Sequence, residues 1–396
     1  MQKQVQILGG GVNQSGVRAH NERLILSVLQ RNGAMPGSDI ARLTGLSPQT
    51  VSVILRKLET DALILRRDPV KGRVGKPSVP MDLNPDGLFS VGLKIGRRSA
   101  DLVLLDFVGQ VRDRLRITYA YPMPDTVFGF LDKGLRQVTD TLPAVLQARI
   151  CGIGVAAPHE LWNWQEIVGA PARDIQVWRT VDMAEAVAQV SDLPVYVVND
   201  ATAACRAEHI HGGGRAYRDY VYVFVGAIVG GGVVLDHSVY EGHQGNAGAL
   251  GPLPSFASDG RETRLIDTAS IHGLEQRLQA AGLDRALLWT DPQDWSALED
   301  HVDPWIDQVG LALAKAALAV CAVIDFEAVV IDGAMPEAIR ARLVDRVQQH
   351  LQQQDQRGLV VPQIAAGSLG AISRAIGAAS GPVLSQVLFD KYAGAF

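Results

Sequence analysis

The chain has 396 residues, 47% of them hydrophobic and 20% charged, with a formal net charge of −5. That length supports two or three domains with a sizeable core, and no run of about 18 apolar residues or signal-peptide-like N-terminus is present. The three cysteines, Cys151, Cys205 and Cys321, form no CxxC pair, which argues against zinc or disulfide staples and for reduced thiols in a cytoplasmic protein. The charge is uneven. Residues 1–85 carry 12 Lys/Arg against 6 Asp/Glu, a net of +6, and the remainder carries 25 against 36, a net of −11. A basic front on an acidic body suggests a polyanionic partner, although clustering on a solvated surface gives the same count.

Residues 1–18 are Gly-rich and polar and read as a flexible arm. Three helical segments follow in residues 19–84. In NERLILSVLQRNG, Leu24, Ile25, Val28 and Leu29 share a stripe that Gly33 closes. In GSDIARLTG, Ser38 is a candidate N-cap and Gly45 ends the helix. In LSPQTVSVILRKLETDALI, Ser47 caps, Pro48 takes the first helical position, and Val51, Ile54, Leu55 and Leu58 form an i, i+3, i+4, i+7 stripe. The turn at Gly45 makes the second and third helices a helix-turn-helix. The third helix then presents Gln49, Thr50, Ser52, Arg56 and Lys57 outward. Glutamine can pair with adenine, hydroxyls with bases or phosphates, and arginine with guanine or phosphate. Ser47 at the cap lies beside them. Two strand-like runs, LILRRD and PSVPMDL, flank PVKGRVGK, whose Lys71, Arg73 and Lys76 suit a basic wing on the DNA backbone or minor groove. The bland alternative is a three-helix interaction module with a hairpin.

From Leu88 the pattern changes. LFSVGLKIG, SADLVLLDF and QVRDRLRIT read as a meander, followed by a helix over 125–148, the strand ICGIGVAAP, a helix over 182–191 and the strand LPVYVVND. A similar set recurs in DYVYVFVG, GGGVVLD, helices near 269–281 and 303–325, the strand EAVVIDG and the helix PEAIRARLVDRVQQHL. Two α/β lobes with mixed sheets and a ligand cleft between them follow.

The stretches VVNDATAACRAE, VGGGVVLDHSVYEGHQGNAGALG and GRVGKPSVPMDLNPD carry a resemblance to the ROK family of sugar-responsive repressors and sugar kinases. It runs from GVNQSGVRAHNERLIL to GSLGAISRAIGAA. It implies an α/β chain with an N-terminal winged helix-turn-helix followed by a two-lobed actin-like (ribonuclease H-like) ATPase-type fold. The first lobe would comprise 85–198 plus 370–396, and the second 199–369. Repressors of the family carry such a winged helix; its kinases lack it.

The resemblance also identifies departures. Where the kinases have D-x-G-G-T, this chain has Lys94, Ile95, Gly96, Arg97 and Arg98. Where they have G-T-G-x-G, it has Gly226, Ala227, Ile228, Val229 and Gly230. Arginines and isoleucine stand where backbone must approach phosphate, so no kinase activity and no nucleotide cofactor are expected. In the kinases the aspartate matching Asp200 is the general base, and with the asparagine matching Asn199 it bonds sugar hydroxyls. A carboxylate beside an amide suits a polyol, and Asn-Asp also suits a plain helix cap. The family's sugar-binding glutamate is Ala249 here, and its sugar- and zinc-binding histidine is Pro252. SFASDGRETRLID replaces the zinc motif, so no metal is expected. His159, Glu241, His243 and Asn246 are candidate replacement contacts for the effector. Trp162, Trp164 and Trp178 offer either a sugar-stacking face or core packing.

The leading reading is therefore a transcriptional repressor of carbohydrate genes that binds a palindromic double-stranded operator as a homodimer or dimer of dimers. A small carbohydrate would enter near Asn199 and Asp200. The runner-up is a ROK-type sugar kinase carrying a DNA-binding domain, and a third is a regulator answering to a protein partner.

Overall fold

The structure is a computed structural model that describes residues 14–69, 79–159, 161–163, 170–257 and 259–388. Three helices, α1 (Gln14–Asn32), α2 (Gly37–Thr44) and α3 (Pro48–Thr60), precede a two-stranded antiparallel hairpin of β1 (Ile64–Arg66) and β2 (Met81–Leu83). α1 begins inside the stretch expected as an arm, so residues 14–18 are helical. Ser47 caps α3 by accepting from the Thr50 amide at 3.1 Å, and the stripe Val51, Ile54, Leu55, Leu58 is buried as its spacing predicts. α2 ends at Gly45 with φ of 70°, a left-handed cap. Its N-cap is Pro36, so Ser38 lies within the helix and does not cap it.

The first lobe holds β3 (Phe89–Ile95), β4 (Ser99–Asp106), β5 (Val111–Thr118), β6 (Ile150–Ala157) and β7 (Val195–Asn199) in the order β5-β4-β3-β6-β7. β3, β4 and β5 form an antiparallel meander, while β6 and β7 join in parallel. β3 and β4 are buried along their whole length, their polar Ser90, Lys94, Ser99, Asp101 and Asp106 included. The helix expected over 125–148 is two, α4 (Pro124–Thr139) and α5 (Ala144–Gln147), because Pro143 cannot continue a helix. α6 (Ala172–Ile175) and α7 (Met183–Ala188) complete the connection to β7.

α8 (Asp200–His211) then leads to a second sheet with the same order, β10-β9-β8-β13-β14. Its strands are β8 (Tyr220–Val225), β9 (Val229–Leu235), β10 (Ser238–Tyr240), β13 (Ala328–Gly333) and β14 (Gln363–Ala366). The hairpin of β11 (Pro254–Phe256) and β12 (Glu262–Arg264), with α9 (Leu265–Thr268), α10 (Ile271–Ala280), α11 (Glu299–Cys321) and α12 (Glu337–Gln352), covers this lobe. The stretch Ser296–Cys321 is long and apolar enough to cross a membrane, yet Trp305, Ile306, Val309 and Leu313 bury its apolar face in the lobe's core. The repeated strand order makes the two lobes topological copies.

The last helix, α13 (Ser373–Gln386), returns to the first lobe and lies against β3, β6 and α8. Small residues permit this. A Cβ on Gly377 would sit 1.7 Å from the Ala203 carbonyl oxygen, and one on Gly154 would sit 1.8 Å from that of Ala378. The N-terminal unit is attached here as well. Ile25, Leu26 and Leu29 of α1 share one apolar cluster with Phe107, Ile210, Val383, Leu384 and Leu388 of the body.

Candidate nucleic-acid interface and inter-lobe clefts

On α3, Gln49, Ser52 and Arg56 are exposed and Thr50 is half-buried. Arg56 donates Nε to the Ser52 carbonyl at 3.2 Å, which leaves its planar terminus over the outer face. The hydroxyl of Ser47 is occupied by its cap and by Thr50 Oγ1 at 2.9 Å. Lys57 departs from expectation. Its ammonium lies 2.7 Å from Glu22 Oε2 on α1 and 3.3 Å from Asp61 Oδ2, and the Glu22 hydrogen bond raises its pKa. Helical position alone placed Lys57 on the polar face; the packing of α1 beside it decides its partner. Lys71, Arg73 and Lys76 lie outside the described residues. At the hairpin's base, Arg66 grips Glu59 through two bonds of 2.6 and 2.8 Å, a contact the sequence reading did not anticipate.

Side chains of α1 tie this unit to the body by hydrogen bonds as well. Arg23 donates to the carbonyls of Leu388 at 2.9 Å and Leu384 at 3.1 Å, and Gln30 to that of Ile210 at 2.8 Å. The His237 carbonyl accepts from Arg31 of α1 at 2.7 Å and from His209 Nε2 of α8 at 2.8 Å. That geometry fixes the neutral His209 tautomer with the proton on Nε2. Burial lowers the pKa of both His209 and His211 to about 4, so both are uncharged at neutral pH.

At the other end of α8, Asn199 caps the helix, its Oδ1 accepting from the amides of Ala201 at 2.9 Å and Thr202 at 3.3 Å. Asn199 also lines a cleft of about 280 Å3 that collects His159, Glu241, Trp162 and Gln244. Three of the six expected effector contacts thus meet there. Asp200 turns away, with Oδ2 3.2 Å from Arg374 of α13. Glu241 is paired to Arg206 of α8. His243 and Asn246 are exposed on the same loop and do not line the cleft. Trp178 is a core residue, donating Nε1 to the Pro122 carbonyl at 3.0 Å, and Trp164 lies outside the described residues. Arg206 and Arg374 were missed because their relevance comes from helix packing, which no local pattern encodes.

The glycine turn between β8 and β9 is closed by protein. The N-terminus of α10 donates the Ile271 amide to the Gly226 carbonyl at 2.8 Å and the His272 amide to that of Ala227 at 3.3 Å. The Val229 amide goes to Ser270 Oγ at 2.9 Å. Across the gap, Lys94 folds over its own hairpin, with Nζ 3.1 Å from Ser99 Oγ and 3.4 Å from Asp101 Oδ2. Burial, then the nearby Arg374 guanidinium, lower its pKa to about 8. Arg97 crosses to Glu275 of α10, which also accepts from Trp289 Nε1 at 2.7 Å. Burial opposes ionisation of Glu275, but His272, Arg97 and Trp289 outweigh it and hold its pKa at about 2.

Two duplicated mixed sheets joined through packed helices, preceded by a helix-turn-helix and hairpin, define an actin-like protein with a winged DNA-binding-type head. The family model "ROK family" matches residues 90–381, and "Winged helix-turn-helix DNA-binding" matches 18–61. The chain belongs to the ROK family. It is 24% identical over 242 residues to the xylose repressor of Bacillus subtilis (strain 168), covering 61% of this chain and 62% of that protein. The chain therefore spans about three fifths of that relative's length. Among solved structures, a ROK family transcriptional regulator, a homolog of the Escherichia coli MLC protein, superposes with a TM-score of 0.65 at 21% identity, over 92% of this chain and 96% of that one. A ROK glucokinase from Streptomyces griseus in complex with glucose and AMPPNP superposes with a TM-score of 0.58 at 18% identity, over 74% of this chain and 98% of that one. At these identities the likeness establishes the fold.

Proposed function

We propose that this protein is a cytoplasmic transcriptional repressor of carbohydrate genes, binding a palindromic operator as a homodimer and releasing it when a small sugar enters the cleft beside Asn199. The observation that carries the reading is the course of α8. Its first turn, capped by Asn199, borders the cleft, and its last turn bonds the winged unit's anchor at the His237 carbonyl. A ligand that prefers one lobe arrangement moves α8 and, through Arg31 and Gln30, the angle of α3 on DNA. His159, Asn199 and Glu241 are the polyol contacts; Gln49, Thr50, Ser52 and Arg56 read the duplex, and the wing residues Lys71, Arg73 and Lys76 meet the backbone. The reading agrees with the named repressor among its relatives and the regulator among its structural neighbours.

Catalysis is not part of this reading. The amides of Ile271, His272 and Val229 are spent on protein acceptors, and Lys94 and Arg97 occupy the facing hairpin, so fewer backbone donors remain to cradle a triphosphate. Fluorescence anisotropy with promoter fragments from the neighbouring genes tests the proposal. Nanomolar binding whose log K falls with log salt at a slope steeper than about −4 is expected. Binding indifferent to sequence and salt contradicts it. An ADP-release assay over common hexoses tests the kinase alternative; turnover abolished by Asp200→Asn would establish that alternative instead.

A further inference from the structure

A cavity of about 310 Å3 opens in the seam where the head meets the body. Arg31 of α1 lines it from the head. Arg206 and His209 of α8, Arg215 beyond that helix, and the β9–β10 turn at His237 line it from the body. Ile210, Val239 and Leu384 supply an apolar wall. It shares no lining residue with the polyol cleft at the other end of α8.

Three guanidinium groups line this cavity, and no carboxylate does among the described residues. Arg206 is paired to Glu241, which stands outside it. Arg31 gives Nη2 to the His237 carbonyl at 2.7 Å, and Arg215 is exposed. Neither Arg31 nor Arg215 has a carboxylate within ion-pair distance among the described residues. Two positive charges from opposite sides of the seam therefore lack a counter-charge, and a concave wall focuses their field. The neighbouring rings register it: besides burial, Arg31 lowers the pKa of His209 and Arg215 that of His211. The lining also holds two orphaned atoms. Arg206 and His209 are 8% and 9% exposed, and Arg206 Nε and His209 Nδ1 have no hydrogen-bond partner. Buried polar atoms without partners call for an explanation. With its proton on Nε2, His209 offers Nδ1 as an acceptor alone, which suits a hydroxyl donor.

We infer that this seam cavity binds a small hydroxycarboxylate, its carboxylate held between Arg31 and Arg215, its hydroxyl directed at His209 and its carbon chain against Ile210 and Leu384. Guanidinium forks match the two oxygens of a carboxylate. Arg31 and Arg206 already spend one amino group each on protein, so the donors left over suit two acceptor oxygens better than the three of a phosphate. Because Arg31 belongs to the head and Arg215 to the body, the anion bridges them and screens their repulsion. Its binding favours the docked head, which makes the seam an input separate from the sugar cleft. The inference stands whether or not that cleft binds sugar.

Calorimetric titration and thermal unfolding of the full chain at low salt test it. The probes are malate and gluconate, succinate as a carboxylate without a hydroxyl, glucose as a polyol without a carboxylate, and inorganic phosphate. At least one hydroxycarboxylate is expected to bind and raise the melting temperature, about tenfold or more tighter than succinate, and to lose about tenfold or more in affinity in Arg215→Gln. Arg215 is exposed, so this variant is expected to fold, and circular dichroism checks it. Arg136→Gln, which removes an exposed arginine outside the cavity, is expected to bind as wild type does. No response to either hydroxycarboxylate at about 10 mM overturns the proposal. So does affinity unchanged in Arg215→Gln, or lost equally in Arg136→Gln. Phosphate binding more tightly than both hydroxycarboxylates overturns the assignment of the ligand. A response to glucose reports on the polyol cleft, so the two readings fail separately.

Discussion

Arg56 and Lys57 are adjacent cations on one helix with different surroundings. Arg56 is exposed and bonded only along its own helix, whereas Lys57 is tied to Glu22 and Asp61. Arg56→Ala is therefore expected to weaken operator binding by about tenfold or more, and Lys57→Ala by about twofold at most. Anisotropy titrations of both variants against one fragment check this; equal losses would place Lys57 on the DNA after all. His209 and His211 give a pH dependence. Their folded pKa values, about 4, lie below the unfolded value of about 6.5, so the folded state holds fewer protons in between. Stability is fully present above about pH 6.5 and falls as pH drops toward 4, by up to about 3 kcal/mol for each histidine. Urea unfolding at pH 7.5 and 5.0 measures it, and His209→Gln, which keeps a donor for the His237 carbonyl, is expected to flatten the dependence.

At the scale of elements, α8 and α13 are the packed pair that lies between the two sheets. The tight approach at Gly377 predicts that Gly377→Val costs about 3 kcal/mol or more, because backbone must move to admit the side chain. Chemical denaturation checks it; a loss under about 1 kcal/mol would mean the pair is looser than drawn. This scale also shows what a sequence discloses. The stripe of α3, its Ser47 cap and its Pro48 were legible because they are local and periodic. So were β3 and β4, whose largely apolar stretches are bounded by turn residues. The break at Pro143 was present in the residues and was overlooked. The hairpin Pro254–Arg264 lacked strand alternation. The placement of Asp200 on Arg374, and of Glu241 on Arg206, joins residues 174 and 35 positions apart, and no spacing rule reaches that far.

For the whole molecule, the account joins three places: the face of α3, the cleft at Asn199, and the helix that runs between cleft and head. His159→Ala and Glu241→Gln are expected to dull the response to sugar by about tenfold while leaving operator affinity in its absence unchanged. A variant that loses DNA binding outright would show the cleft to be structural support for the head.

Titrating a sugar panel into the preformed operator complex and following anisotropy tests the central claim most directly. The account predicts that one sugar or a close group of sugars releases the duplex at submillimolar concentration, and that release is lost in His159→Ala. A complex that no sugar disturbs, in a protein that instead liberates ADP from ATP and a hexose, would contradict it.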